Sequence, residues 1–458
     1  MPKEKTTPKV RMPARSVPVI AEADVIVVGG GTAGLAAAIA AARTGAQTIL
    51  AERYGYLGGS LTGTYCTGPG FFGDSEGHQI IKGIGWELME RLEKLGSAIL
   101  DRDHWNAQIF PETVKNAALD LVAEAGVGLY LHAFVSDLVI RNGVIRSIIM
   151  QSKSGPMAVN GKVFVDATGD ADIVFKAGGP TEMLEPSRLW QTSVDLTVCN
   201  VDSTKVIKWA KDNPDRTVIE GATENLSKTF GIHPMFNVIV LKEGTEGKSQ
   251  ESGIKHVGPM PTIKLLVRRN ISRVQGSVEI DGTDVRGLTY AEVEARRRAM
   301  EHLVYLKKTV PGYEDAFVIG ESQLGVRETR RIVGDYVLTV DDLIRKARFP
   351  DVVALNCRAL DRHTKGEVFE ITFLSGNHDI PLRALIPKKV KNLLVAGRCI
   401  SSDHDANASL RGAGACMATG HAAGTAAALS ARDSGNVRDI NIPTLQKILK
   451  EQNAILKA

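Results

Sequence analysis

Ala23-Asp24-Val25-Ile26-Val27-Val28-Gly29-Gly30-Gly31-Thr32-Ala33-Gly34 decides the fold. An apolar β run ends in a glycine-rich hexad, and an alanine-rich helix follows to about Thr44, with Gly45 as its stop. The next β run, Gln47 to Ala51, delivers Glu52. This is one βαβ unit with the helix as its crossover. Gly29 permits the tight turn, Gly31 lets backbone approach a pyrophosphate, and Gly34 lets helix and strand pack closely. The first helical turn, with Thr32 and Ala33, presents free N–H groups and a dipole that favour negative charge. Glu52 follows Gly34 by 18 residues, where a carboxylate can accept ribose hydroxyls. Strand, loop, helix and acid together predict nucleotide binding, which a glycine-rich turn alone would not.

Outward from this unit, residues 79–95 and 111–125 read as amphipathic helices. From Leu129 to Val165 short strands alternate, with Asn142-Gly143 and Asn160-Gly161 as hairpin turns. Lys162 to Ala167 is a strand ending at Thr168-Gly169-Asp170. Between 180 and 375 the character changes: 242–258 is polar and loop-like, and one strong helix runs from Tyr290 to Leu306. The earlier style returns with an apolar strand, Asn392 to Ala396, and an Ala/Gly-rich helix from Ser409 to Leu429. The expected fold is α/β: a Rossmann-type domain (a doubly wound sheet with a β-meander) carrying an inserted α+β substrate domain. Its division is a disordered basic tail over 1–20, a nucleotide domain from 21–180 and 380–435, a substrate domain over 181–379, and a C-terminal helix in 436–458.

Composition narrows the class. A chain of 458 residues exceeds one ordinary core, and 43% hydrophobic with 24% charged residues is usual for a globular protein. The net charge of +4 sits in the first twenty residues, where Lys3, Lys5, Lys9, Arg11 and Arg15 face Glu4 alone. The remainder is near neutral, which argues against a nucleic-acid groove. No apolar run reaches the roughly 18 residues of a membrane span. Cys66, Cys199, Cys357, Cys399 and Cys416 are scattered with no CxxC pair, so no disulfide framework, zinc site or iron–sulfur cluster is expected, and a cytoplasmic setting is the simplest reading. The partner expected is a small-molecule substrate, and a homo-oligomer is compatible with the sequence.

The choice between FAD and NAD turns on the residues just after Glu52. Arg53 and the pair Gly58-Gly59 with Ser60 suit a loop folding back over a diphosphate towards an isoalloxazine ring. No second GxGxxG follows a strand, since Gly412 to Gly420 has the wrong spacing. FAD is therefore the expected cofactor. Here the sequence resembles the FAD-dependent oxidoreductases of the glutathione-reductase-like class, near fumarate reductase and the flavoprotein of heterodisulfide reductase. The likeness covers about 22–180 and 315–430. It rests on the βαβ unit, on Arg53 with Gly58-Gly59, on Asp166-Ala167-Thr168-Gly169-Asp170, and on Asn392 to Arg398 followed by the helix from Arg411 to Ala428. The segment Gly325 to Ile332 is a further mark. The resemblance implies cofactor contacts at Val135, Thr168, Gly169, Gly397, Arg398, Gly412 and Ala415, besides Arg53, Gly59 and Ser60, with the last helix aimed at the flavin pyrimidine. The iron–sulfur cysteines of heterodisulfide reductase are missing, which counts against that electron-transfer role.

Three regions could supply the remaining chemistry. Cys66 follows the loop that should cross the flavin; otherwise it is a small buried hydrophobe. His404, in Ser401-Ser402-Asp403-His404-Asp405, is flanked by acids that would support an imidazolium; otherwise Ser402 or Asp403 caps a helix and His404 is merely exposed. Arg327 could clamp a carboxylate, whereas Arg330 and Arg331 read as salt-bridge partners of Glu328, Asp335 or a neighbouring acid. His378 reads as a turn residue, Arg296-Arg297-Arg298 as a solvated helix face, and Trp86, Trp105, Trp190 and Trp209 as core or pocket walls. No metal is expected. The function read from this is a dehydrogenase- or oxidase-type FAD enzyme moving hydride between a small, anionic substrate and flavin N5. The alternatives are a flavin monooxygenase and an electron-transfer flavoprotein subunit.

Overall fold

In the computed structural model, residues 10, 14–220, 236–241, 262–266, 270–363 and 370–458 are described. The first nine residues, 11–13, and the polar stretch 242–258 lie outside the described residues.

Four parallel strands run in the order Gly128–Tyr130, Thr48–Ala51, Val19–Val28 and Gly155–Asp166, and Leu393–Val395 joins the far side of the last. Their central residues, Ile26, Val27, Phe164, Val165 and Leu394 among them, are fully buried. Continuous apolar runs are what a parallel sheet covered on both faces requires. The first strand starts at Val19, so its opening residues belong to the sheet and not to the basic tail. Gly155–Asp166 is long enough to serve two partners. Its start pairs antiparallel with Val144–Ser152 in a meander continued by Phe134–Arg141, and its end pairs with Leu393–Val395.

Asn142-Gly143 makes the first meander turn as expected, both residues having positive φ. Asn160-Gly161 does not make the second. It lies inside Gly155–Asp166, and the chain turns at Lys153-Ser154. Asn160 is held there by Ser147 Oγ at 2.7 Å and Glu22 at 2.8 Å, and a side chain at 161 would collide with Ile26 and Phe164. The dipeptide is a packing feature that mimics a turn signal.

The helix Thr32–Arg43 covers one face of this sheet against Ala413–Arg432. A Cβ at Gly420 or Gly424 would overlap the carbonyls of Ala33 or Ala37, so the two backbones touch. The expected single helix from Ser409 is two, His404–Leu410 and Ala413–Arg432, broken at Arg411-Gly412. The C-terminal helix is Ile442–Glu451.

A second, six-stranded antiparallel sheet includes Thr192–Cys199, Ile271–Val278 and the edge strand Phe317–Glu321. The helix Val285–Thr309, longer at both ends than expected, packs on the face bearing Val194, Leu196, Val198 and Val274. Its Arg296, Arg297 and Arg298 pair with Glu292, Glu294 and Glu301, the solvated face that the sequence predicts. No described helix is long and apolar enough to cross a membrane.

Candidate active site

The parallel strands end on one edge, and the glycine loop sits there. Gly29 has φ +97°, and a Cβ on it would lie 2.6 Å from the Ala167 carbonyl, so glycine is required at this turn. A Cβ on Gly34 would overlap the Gly29 carbonyl, which is the close packing expected of it. In front of Gly31 the space is open: a Cβ would meet nothing nearer than Gly59 Cα at 3.9 Å. The helix that follows has no capping side chain and no acid in its first turn. Such an N-terminus, with orphan N–H groups and open space before it, fits a pyrophosphate.

Glu52 is buried, and its carboxylate accepts Gly30 N–H at 2.5 Å and Tyr54 N–H at 2.8 Å. Burial pushes this carboxyl up, against the pull of those two donors. Gly58 donates to the Gly30 carbonyl at 2.9 Å, so the second glycine pair lies on the first loop, with Ser60 next to it. Arg53 lies over the Tyr54 ring at 4.8 Å.

Asp166 ends its strand buried and accepts Thr168 Oγ at 2.6 Å and the N–H groups of Ile173 and Val174. Burial raises its carboxyl to about 6. Gly397 follows Leu393–Val395 and packs against Ala33; Arg398 pairs with Asp170 at 2.7 Å beside Gly169. Gly412 precedes Ala413–Arg432, which also lacks a capping side chain and an acidic first turn, and Ala415 is buried in that turn. Val135 is buried in the meander opposite Met150, two residues after Ala133, whose N–H donates to the Glu52 carbonyl at 2.9 Å.

Two of the three candidates for chemistry, His404 and Arg327, converge on one short segment. His404 stacks on Trp190, ring centroids 3.9 Å apart and planes 14° from parallel. Arg327 donates to the carbonyl of the next residue, Gln191, at 2.5 Å. Burial lowers the Arg327 guanidinium against the pull of Asp361, Asp195 and Cys66, so Cys66 lies within its electrostatic reach. The Cys66 thiol donates to the Gly68 carbonyl at 3.2 Å.

The support expected for His404 from its sequence neighbours is not what the fold supplies. Asp403 caps the helix through Ala406 N–H at 2.6 Å, and Asp405 pairs with Arg362 at 3.0 Å. The carboxylate at His404 is Glu328, 2.8 Å from Nδ1 and also paired with Arg331. Arg330 pairs with Asp172 at 2.5 Å. His378 is buried in the strand His378–Pro381, 3.2 Å from Asn356 Nδ2, and burial with Arg348 lowers it to about 3.

A second group beside Arg327 escaped the sequence reading. Asp361 is buried among Arg358, Arg411 at 3.0 Å and His363 at 2.8 Å. Burial opposes its charge, yet His363, Arg411 and Arg358 hold it well below the usual carboxylate range. Burial and then Arg327 push His363 down to about 3, against the pull of Asp361. Arg358 crosses Gly412, at the start of the last long helix. Arg358, Asp361 and His363 come from a loop and short strand without periodicity, so no pattern marks them. Arg273 and Asp195, paired at 2.5 Å on the second sheet, complete this wall, and Arg273 also donates to the Thr64 carbonyl at 3.0 Å.

Sheet order, glycine loop and terminal acid define a nucleotide-binding protein of the Rossmann type. The family described as FAD dependent oxidoreductase matches residues 24–449, and the chain belongs to it; FAD is its cofactor. The chain is also similar to thiamine thiazole synthase of Methanococcus aeolicus, 28% identical over 161 residues, or 33% of this chain and 57% of that protein. The same enzyme of Metallosphaera sedula is 27% identical over 165 residues, 34% of this chain and 57% of that one. The chain thus spans less than three fifths of the length of these curated relatives. Among solved structures, a geranylgeranyl bacteriochlorophyll reductase-like protein of Thermoplasma acidophilum aligns over 94% of this chain and 84% of that one, at 14% identity and TM-score 0.45. A myxobacterial chondrochloren halogenase aligns over 94% and 79%, at 14% identity and TM-score 0.43. Scores this low do not bear on chemistry.

Proposed function

We propose that this chain oxidises or reduces a small anionic organic substrate by hydride exchange with FAD. The cofactor part takes in 21–180 and 380–435, and the substrate part 181–379, of which residues from Ile332 onward share the cofactor part's core. FAD, when bound, supplies the two-electron acceptor or donor at N5. The FAD contacts are the glycine loop (Gly29, Gly31, Thr32, Ala33, Gly34), Glu52, Arg53, Gly59, Ser60, Val135, Thr168, Gly169, Gly397, Arg398, Gly412 and Ala415.

Arg327 anchors the anionic group. It forms no ion pair among the described residues and commits only one donor, so a fork remains for a carboxylate. His404 exchanges the substrate proton, and Cys66 lines the same space. Convergence of His404 and Arg327 on Trp190-Gln191 carries this reading.

The test is anaerobic bleaching of bound FAD by a panel of hydroxy, amino and keto acids. With an active acid in hand, His404→Asn should keep its FAD and slow bleaching roughly 100-fold. Arg327→Met should weaken acid binding roughly 10-fold or more and leave uncharged analogues unaffected. Wild-type rates and affinities in both variants would overturn the assignment.

A further inference from the structure

We propose that Glu328 is a positioning residue that acts through His404, fixing its imidazole with the proton on Nδ1 and the lone pair on Nε2. The inference deepens the reading of His404 as the proton-exchanging group and rests on it for its catalytic consequence.

The segment that carries Glu328 spans the two sheets. Gly325 exchanges backbone hydrogen bonds with Ser193 of the second sheet, at 2.7 and 3.2 Å, and Ile332 N–H reaches the Cys399 carbonyl beyond the parallel strand Leu393–Val395 at 3.0 Å. Between these anchors the Glu328 side chain has no solvent exposure. Its carboxylate meets Arg331, His404 Nδ1 at 2.8 Å and Trp190 N–H at 3.3 Å. Arg331 is itself buried and donates through Nε to the Ser402 carbonyl at 3.0 Å, two residues before His404. The ion pair therefore holds both the ring and the backbone that leads to it.

Chemistry then fixes the tautomer. In its pair with Arg331, Glu328 has only acceptor oxygens to offer, so the hydrogen shared with Nδ1 is the imidazole's own. The neutral ring then carries its lone pair on Nε2, which has no hydrogen bond among the described residues and belongs to a side chain about one fifth exposed. Stacking on Trp190 holds the ring plane, and a ring flip would set a carbon against the Glu328 carboxylate. His404 is thus left a single outward base, Nε2, and the imidazolium formed when it takes a proton keeps Glu328 as its counter-charge.

The experiment uses the FAD-loaded protein with isotope-labelled histidine. Two-bond proton–nitrogen correlations report the tautomer, and the His404 signals are identified by their loss in His404→Asn. We expect wild-type His404, when neutral, to be protonated at Nδ1. In Glu328→Gln the amide can accept or donate, so that form should fall to a minor share, with kcat lower by about 100-fold and KM changed less than about threefold. Glu328→Asp keeps a negative charge in the buried site but draws the carboxylate back by one methylene from the oxygen position that His404 and Arg331 share; should the glutamine variant not fold, the aspartate variant is expected to show the same loss of Nδ1 protonation. Protonation at Nε2 in the wild type, or an unchanged tautomer in the folded variants, would overturn the proposal. A tautomer that follows Glu328 while His404→Asn still bleaches at the wild-type rate supports the positioning role and overturns the role of His404 in proton exchange.

Discussion

The parallel sheet and the antiparallel sheet treat polarity in opposite ways. In the first, Val25 to Val28 and Val163 to Val165 are apolar and buried on both faces. In the second, Val194, Leu196 and Val198 alternate with Ser193, Asp195 and Thr197, and Val274 and Val278 alternate with Arg273, Gln275 and Ser277. An alternating sheet ordinarily turns its polar residues to water. Here Ser193, Asp195, Arg273, Gln275 and Ser277 are all buried. A buried polar face carries a desolvation cost unless it is paired, and it finds partners in its own ion pair and in the loop at Thr64. One sheet is apolar on both faces and ends in an open glycine loop; the other turns buried polar side chains towards the loop at Thr64.

This contrast can be broken at several points. The largest effect is expected from Gly34→Val. Its side chain would overlap the Gly29 carbonyl, so the turn must open, and the purified protein should hold less than about a tenth of the wild-type FAD. Near-normal FAD content would show that the glycine loop is not the cofactor cradle. Asp195→Ala leaves Arg273 buried without its carboxylate and should cost about 3–5 kcal/mol in denaturant unfolding. Because the damage lies in the antiparallel sheet, the FAD content of the folded fraction should stay near one per chain; its loss would mean the two layers are energetically one.

Acid should probe the parallel layer. His421, buried on the last long helix, is lowered to about 4, chiefly by burial. Its folded value lies below the unfolded one, so its contribution is complete above about pH 6.5 and is withdrawn as pH falls towards 4. By linkage this amounts to about 3 kcal/mol. A pH series of melting temperatures should therefore flatten between 6.5 and 4 in His421→Gln, and an unchanged slope would assign acid lability elsewhere. The smallest effect is expected on the outer helix of the second sheet: Arg297→Ala removes exposed pairs with Glu294 and Glu301 and should shift stability by less than about 1 kcal/mol.

Legibility in the sequence followed the same division. The βαβ unit, the apolar end of the strand that reaches Asp166 and the return strand near Leu394 were readable because a covered parallel sheet leaves apolar runs punctuated by glycine; the start of that strand at Gly155 was not. Asn160-Gly161 misled because one dipeptide serves either a turn or a tight contact, and only the neighbouring Ile26 and Phe164 decide which. The helix break at Arg411-Gly412 was hidden by uniform alanine and glycine around it. His404, Arg327 and Cys66 were named from the sequence, and the fold brings the first two to the adjacent residues Trp190 and Gln191. Their supports were not, since Glu328 lies 76 residues before His404 and Asp361 is brought to Arg327 by a loop without periodicity. Local acids next to His404 were more visible than the distant one that reaches it.

The contact of Gly420 and Gly424 with Ala33 and Ala37 also has a temporal side. On the ribosome, the helix behind the glycine loop emerges first, the helix that seals its back emerges almost four hundred residues later, and Gln452 closes onto Thr44 across 408 positions. Until then the alanine face of the first helix has no mate. The nascent chain must therefore hold this apolar surface open while the residues between the two helices are made, and the support behind the glycine loop is complete only once the second helix has emerged.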